Sequence, residues 1–394
     1  MRMVSLFPRL LAACLCAFAA AVPAFAQQNT FIPFASRRDV AHDAQRDLLY
    51  IASGSTGTVA RYDLAVRQFL APLNVGGQPV QLDIMPDSSR LAIADAAAST
   101  TQQGFSVSGP VVVDLATGTS SRVAYTDGGP SAQRGVESVA FASDGSLLFT
   151  TTSPFVSPSG TVRWQLPGNT FATVLRSDLG SVQLEPNLAH DAIGFVQVGE
   201  SGGRFGVWRT ADASFVRSQK DGSNLDNIAL PGGGTDSGTR DFNNEVALAP
   251  DGAHLAVGAN LRAYTFTLDR TQPQQFEWVD DLDLNPAATP LGVAYAPDGQ
   301  TLYVAWRFYN TADAVYAYDT GSFAVTATYP VGEFITDGIG GGDLQVSNNG
   351  SLLFATVDGG VRVISVPEPA GALAAAVALA ATPLLSRRRE RRRR

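Results

Sequence analysis

The sequence predicts an all-β chain, a seven-bladed β-propeller of four-stranded antiparallel blades. Three observations predict it. A unit of apolar strand, Pro-Asp-Gly-type turn and second apolar strand recurs along the chain, the self-similarity expected of a repeat architecture. The composition is turn-rich, with 38 Gly and 22 Pro but only 16% charged residues among 394, as all-β proteins have. The copies are 42 to 62 residues apart, room for four short strands and their turns.

The chain opens on an address. Arg2 and Arg9 give a basic start, Leu10 to Val22 an apolar core, and Ala24-Phe25-Ala26 a small-x-small site before Gln27. That is a secretory signal peptide over residues 1–26, cut after Ala26 by signal peptidase. Cys14 and Cys16 are the two cysteines and both lie inside it. The mature chain therefore has no thiol for a disulfide, a nucleophile or a metal site.

The repeat fills residues 27–366. Ile84-Met85-Pro86-Asp87 leads to Leu91-Ala92-Ile93-Ala94, and Phe141-Ala142-Ser143-Asp144-Gly145 leads to Leu147-Leu148-Phe149-Thr150. Leu248-Ala249-Pro250-Asp251-Gly252, Tyr295-Ala296-Pro297-Asp298-Gly299 and Val346-Ser347-Asn348-Asn349-Gly350 are three further turns, each before an apolar strand. A looser copy begins at His42, and a degenerate one spans Asn187 to Asp191. Asp and Gly punctuate because Asp bonds its own backbone and Gly takes positive φ. Third strands end in turns such as Val113-Asp114-Leu115-Ala116-Thr117-Gly118 and Tyr318-Asp319-Thr320-Gly321, and Ala324 to Tyr329 is an example of an outer fourth strand. The last unit lacks that outer strand, which Thr30-Phe31-Ile32-Pro33-Phe34 can supply to close the ring. Pro33 is tolerable there because an outermost strand pairs on one side only. An array of β-sandwiches is the alternative architecture.

After the repeat come Val366-Pro367-Glu368-Pro369, sixteen mostly apolar residues (Ala370 to Leu385) and the basic run Arg387 to Arg394. Sixteen residues, with Pro383 among them, are short for a permanent membrane span. The Arg cluster would stay cytoplasmic and leave the body across the membrane. The order of these parts over residues 367–394 resembles the PEP-CTERM sorting signal. The resemblance implies an exosortase that recognises Pro367, Glu368 and Pro369, removes the tail, and leaves the cargo released or on the outer surface. An ordinary C-terminal anchor is the alternative. Either route exports the body, with the membrane touched only by the apolar helix 370–385.

The Pro-Asp-Gly turn followed by Leu302-Tyr303-Val304-Ala305, with the Val113-Asp114-Leu115-Ala116-Thr117-Gly118 ending, resembles the YVTN/lactonase-like propellers. These motifs are structural turns, so the resemblance implies the fold far more than an activity.

Charge narrows the function. Of 28 Lys and Arg, nine lie in the first 26 residues and after Ser386, leaving 19 between them against 35 of the 36 Asp and Glu. A body that acidic lacks the basic footprint nucleic-acid binding needs. In the expected fold the Pro-Asp-Gly turns share one face, and the long connections share the other. Long loops on a rigid scaffold are where ligand contacts concentrate, so Arg134, Asp241, Glu245, Arg307, Tyr309, Asp337 and Asp343 are the ligand-binding candidates. His42, His190 and His254 map beside the short turns, away from those loops, so no nucleophile–histidine pair can be assembled there. No catalytic residue is assigned, although Asp241 with Glu245 could serve as acid and base.

No cofactor is expected. Asp281-Leu282-Asp283-Leu284-Asn285 starts like a calcium loop, but Pro286 stands where that loop needs Gly and no Glu occupies its twelfth position. Calcium is the one ion the pattern leaves open. Three readings follow. The first is a non-catalytic exported propeller that binds extracellular polysaccharide, a surface protein or a small molecule. The second is a lactonase-like or other hydrolase using carboxylates and Arg of the same face. The third is a structural surface-layer component.

Overall fold

The computed structural model describes residues 29–97, 101–102, 105–106, 109–123, 135–151, 161–166, 170–175, 181–198, 205–217, 243–259, 263–268, 276–282, 288–308, 311–335 and 344–367. Thr30–Ile364 forms one compact unit. The signal segment, Ala26, Glu368, Pro369 and the apolar stretch 370–385 lie outside the described residues, while Pro367 is exposed at their end. Among the described residues no helix is long and apolar enough to cross a membrane.

Among the described residues, thirty strands follow in chain order. β1 (Asn29–Pro33) precedes a meander of β2 (Arg37–Asp43), β3 (Leu48–Ser53), β4 (Thr58–Asp63) and β5 (Gln68–Asn74). β6 (Pro79–Ile84) and β7 (Arg90–Asp95) begin the next sheet. A small ribbon of β8 (Thr101–Gln102) and β9 (Phe105–Ser106) is inserted before β10 (Val111–Asp114) and β11 (Ser120–Arg122) complete it. The spacing alone leaves that insertion as loop. The third sheet has β12 (Val136–Phe141), β13 (Leu147–Thr151), β14 (Thr161–Leu166) and β15 (Thr170–Leu175). The fourth has β16 (Ser181–Pro186), β17 (Ala192–Val198), β18 (Phe205–Arg209) and β19 (Ser214–Arg217). The fifth has β20 (Asn243–Leu248), β21 (His254–Ala259), β22 (Ala263–Leu268) and β23 (Phe276–Leu282). The sixth has β24 (Ala288–Tyr295), β25 (Thr301–Phe308), β26 (Ala314–Asp319) and β27 (Val325–Pro330). β28 (Leu344–Val346), β29 (Leu352–Val357) and β30 (Gly360–Ser365) form the last with β1, in the order β1-β30-β29-β28.

The first strand of each sheet touches the first strand of the next, from β2 to β6, β12, β16, β20, β24 and β28, and β29 returns to β2. The four-stranded sheets therefore stand radially around one axis as a β-propeller. The first and last ends meet where β1 lies on β30. Gly360 is needed there, because a Cβ at that position would collide with the Ile32 carbonyl oxygen.

Burial explains the pattern. A sheet between two neighbours is covered on both faces, so its strands read as continuous apolar runs. In β3 the alternation divides the run between partners. Leu48, Tyr50 and Ala52 pack with Leu82, Leu91 and Ile93 of the next sheet. Leu49 and Ile51 pack with Ile32, Phe354 and Val361 of the last. Equivalent layers fill the other inter-sheet spaces, for instance Val257 and Phe266 against Val207 and Phe205. The core is a ring of thin layers, not one central mass.

Turn chemistry fixes the strand ends. Asp87, Asp144, Asp251 and Asp298 each accept the N–H two residues on through Oδ1, at 2.8–2.9 Å. Asn349 accepts that of Ser351 in the same way, at 3.0 Å. The next residue takes positive φ, at 81°, 63°, 69° and 74° for Gly145, Gly252, Gly299 and Gly350. Ser88 and His190 hold the same turn position at 52° and 56° without being Gly.

Candidate functional site

Each innermost strand has one edge with no strand beside it, and its buried N–H groups need acceptors. Polar side chains of neighbouring sheets supply several of them. Asp39 accepts the N–H groups of Val40 and Leu82, both at 2.6 Å. Gln81 accepts from Val139 N–H at 2.8 Å and donates to the Leu184 carbonyl at 2.8 Å. Asp83 accepts from Phe141 N–H at 2.5 Å, and the Ser138 hydroxyl accepts from Leu184 N–H at 2.7 Å. Glu245 accepts from Val293 N–H at 2.9 Å, and Gln345 accepts from His42 N–H at 3.0 Å. All but the Asp39–Val40 bond run across the gaps between sheets and lace the hub together.

A funnel of about 130 Å³ opens at this hub on the face of the short turns, among Pro86, Asn187, Pro250, Pro297 and Asn348. Its apolar wall includes Leu248, Val293 and Leu344. Asp83, Glu185 and Gln345 border both the funnel and a smaller cavity of about 20 Å³, which Asp39 and Gln81 also line. That second volume has room for about one water.

The electrostatics are unusual. Burial, and then the Asp83 charge, push the Glu185 carboxyl up to about 8. Burial also raises Asp83, opposed by His190 and by the N–H groups of Phe141 and Ile84. His190 Nδ1 lies 3.0 Å from the Phe141 carbonyl oxygen and 3.7 Å from Asp83 Oδ2. The carbonyl contact makes Nδ1 the protonated nitrogen. His42 is lowered by burial despite Asp47 and Asp43 nearby. Two carboxyls and two imidazoles thus share one cavity.

His190 occupies a turn position where most copies have Gly, and a left-handed backbone penalises any side chain. His190→Gly is expected to be more stable than His190→Ala by about 1 kcal/mol, since both lose the imidazole and only Gly relaxes the backbone. Denaturant melts of the pair measure this, and equal midpoints would mean that the turn carries no strain.

Of the residues predicted from the long loops, two fall on described strands. Glu245 lies within β20, 5% exposed, with its carboxylate on the neighbouring backbone. Arg307 lies within β25 and donates to the Ile335 carbonyl, bracing the segment that enters the last sheet. Both belong to strand ends that the spacing assigns to loops. Arg134, Asp241, Tyr309, Asp337 and Asp343 lie outside the described residues, as do Asp283 to Pro286 of the calcium-like run. Among the described residues no group of three His, Cys, Asp or Glu is placed to hold a metal.

On the loop side, the ends of β7 and β25 are pinned by buried acids. Asp95 accepts Gln78 N–H at 2.7 Å and Ala97 N–H at 3.0 Å, and pairs with Arg122 at 2.6 Å. Asp313 accepts Phe308 N–H at 3.0 Å and Ile335 N–H at 2.6 Å. These anchors make the bases of the long connections rigid.

The funnel acids carry a sequence signal of their own. Val80-Gln81-Leu82-Asp83 and Val182-Gln183-Leu184-Glu185 are the same phrase, each placed just before a short turn. An acid recurring inside an apolar inner strand marks a polar axis, and it singles out Asp83 and Glu185, which loop length does not.

No protein-family model matches the chain, and no curated protein sequence matches it. Solved structures do. The Cps50 (Swd1) β-propeller domain of Myceliophteria thermophila superposes with a TM-score of 0.59 at 14% identity, covering 86% of this chain and 100% of that one. Hydrazine synthase of Kuenenia stuttgartiensis gives 0.50 at 16% identity, over 72% and 83% of the two chains. At such identities the likeness is one of fold, and the fold it shares with the Cps50 domain is the β-propeller.

Proposed function

We propose that this chain is an exported or cell-surface seven-bladed propeller that binds a ligand through its long-loop face and does no chemistry on it. The ligand class is extracellular polysaccharide, a surface protein or a small molecule. Export rests on the signal segment ending at Ala26, and outer-surface delivery on exosortase processing at Pro367-Glu368-Pro369. The propeller fold itself suits ligand binding or protein interaction. One observation favours binding over hydrolysis. Glu245, the acid that would pair with Asp241 in a hydrolase, is buried with its carboxylate committed to the Val293 N–H. A group held that way serves the scaffold and is poorly placed to exchange protons with a substrate. The anchored loop bases at Asp95 and Asp313 support a preorganised binding surface.

The test is a screen of the purified protein against a glycan array and a lactone and ester panel, with and without calcium. Saturable glycan binding without turnover is the expected result, weakened by about tenfold in Arg307→Ala, a loss of about 1.4 kcal/mol. Turnover that survives repurification and disappears in Asp241→Asn would replace this reading with the hydrolase. Binding that appears only with calcium would place an ion in the loop face.

A further inference from the structure

The axial funnel lies on the face opposite the long loops, and the reading above leaves it unused. Two carboxyl groups, Asp83 and Glu185, line it, and no Lys or Arg appears among its described lining residues. Asp83 commits Oδ2 to the Phe141 N–H. The Glu185 carboxyl receives no hydrogen bond from any described residue. A second feature is independent of the acids. The His42 side chain, on the β2 wall of the same cavity, is 7% exposed, and neither ring nitrogen has a hydrogen-bond partner. Its nearest carboxylate oxygen, on Asp47, is 3.8 Å away, and the Phe354 ring packs on it with centroids 5.1 Å apart. Buried polar groups without partners are uncommon and call for an occupant.

We propose that this funnel is a binding site for a primary alkylammonium group, its charge held by Asp83 and Glu185 and its carbon chain lying along Leu248, Val293 and Leu344. An ammonium is a compact point charge with three donors and no acceptor. That complements two buried carboxyls that line one cavity and raise each other's cost of ionisation. The apolar wall above them accepts a methylene chain, as such sites usually do. The absence of a three-ligand cluster among the described residues favours an ammonium over a divalent metal. The chemistry is shared by a free amine and by a lysine side chain of a partner, and the probes separate these sources. The inference stands apart from the long-loop reading, since either face can bind without the other.

Isothermal titration of the full chain with n-butylammonium, Nα-acetyl-lysine N-methylamide and n-butanol tests it. Saturable binding of n-butylammonium is expected, with no binding of n-butanol. Glu185→Gln should lose at least tenfold in affinity, whereas Asp144→Asn, on an exposed turn outside the lining, should keep it. Circular dichroism melts establish that each variant is folded, and Asp83→Asn serves if Glu185→Gln is not. Binding of the lysine amide as well would extend the site to a partner's lysine, and its exclusion would restrict it to free amines. Equal binding of n-butanol, unchanged affinity in folded Glu185→Gln, or saturation by calcium chloride in place of both ammonium probes would overturn the proposal.

Discussion

Asp39→Ala is expected to destabilise the propeller by about 2–5 kcal/mol, because it strands two buried N–H groups at a cost of about 1–3 kcal/mol each. Asp39 is 2% exposed and lines a cavity with room for about one water, so solvent can restore at most part of the lost acceptor. One of the two donors, Leu82, belongs to the next sheet. The loss therefore loosens an inter-sheet seam as well as a side-chain contact. Asp39→Asn keeps one acceptor oxygen and should recover part of the difference. Asp63 provides the contrast. Its carboxylate accepts the N–H groups of Ala65 and Val66, but in an exposed turn. Asp63→Ala should cost only about 0.5–1.5 kcal/mol. Urea denaturation of the three variants measures the ranking, and a loss in Asp39→Ala no larger than in Asp63→Ala would mean that the hub bonds do not hold the ring.

Stability is expected to fall as pH rises from about 4.5 towards 8, the interval between the ordinary and the folded ionisation of Glu185. The sign follows from linkage. A carboxyl raised in the folded state stays protonated there while the unfolded chain ionises, so each pH unit in that window favours unfolding. Below the ordinary value both states are protonated and the full stability is present. Above about 8 the loss is complete and the curve levels. At 1.36 kcal/mol per unit the ceiling is about 5 kcal/mol, and water reaching the funnel reduces it to a few. Asp83, also raised by burial, acts in the same direction. Among the described residues, the other ionisable groups around this axis are His190, His42, Tyr295, Asp39 and Glu245. Glu185→Gln should flatten the profile in this window. Parallel profiles for the two proteins between pH 4.5 and 9 would show that Glu185 is hydrated and ionised in the fold.

The turns were the most legible part of the chain. Asp–Gly turn chemistry acts over four or five residues, so Asp144, Asp251 and Asp298 could be placed without knowing anything beyond their neighbours. The outer strand that closes the last sheet was equally readable, because a run that starts the chain and a sheet lacking its fourth strand have one simple match. Strand ends were harder. Polar residues end the apolar runs at Glu245 and Arg307, so the sequence places both in loops. In the fold, β20 and β25 continue through those residues, because an inner strand's polar side chain can be satisfied by the adjacent sheet. The spacing also puts the histidines beside the short turns, where His190 sits within one and His254 begins β21. The cavity opens on that same face, and His42 and His190 line it.

Taken alone, the sequence determined what depends on short separations. These are the short apolar runs, the Asp and positive-φ turn positions, the recurring unit, and the acidic balance of charge. The tertiary structure decided which polar groups meet at the axis. Gln345 and His42 are 303 residues apart in sequence, and Gln81 reaches residues 58 and 103 positions away. Whether Asp83, Glu185 and His42 share a cavity depends on how the ring closes and on the tilt of each inner strand. Those are properties of the packed inter-sheet layers as a set, and no single segment encodes them.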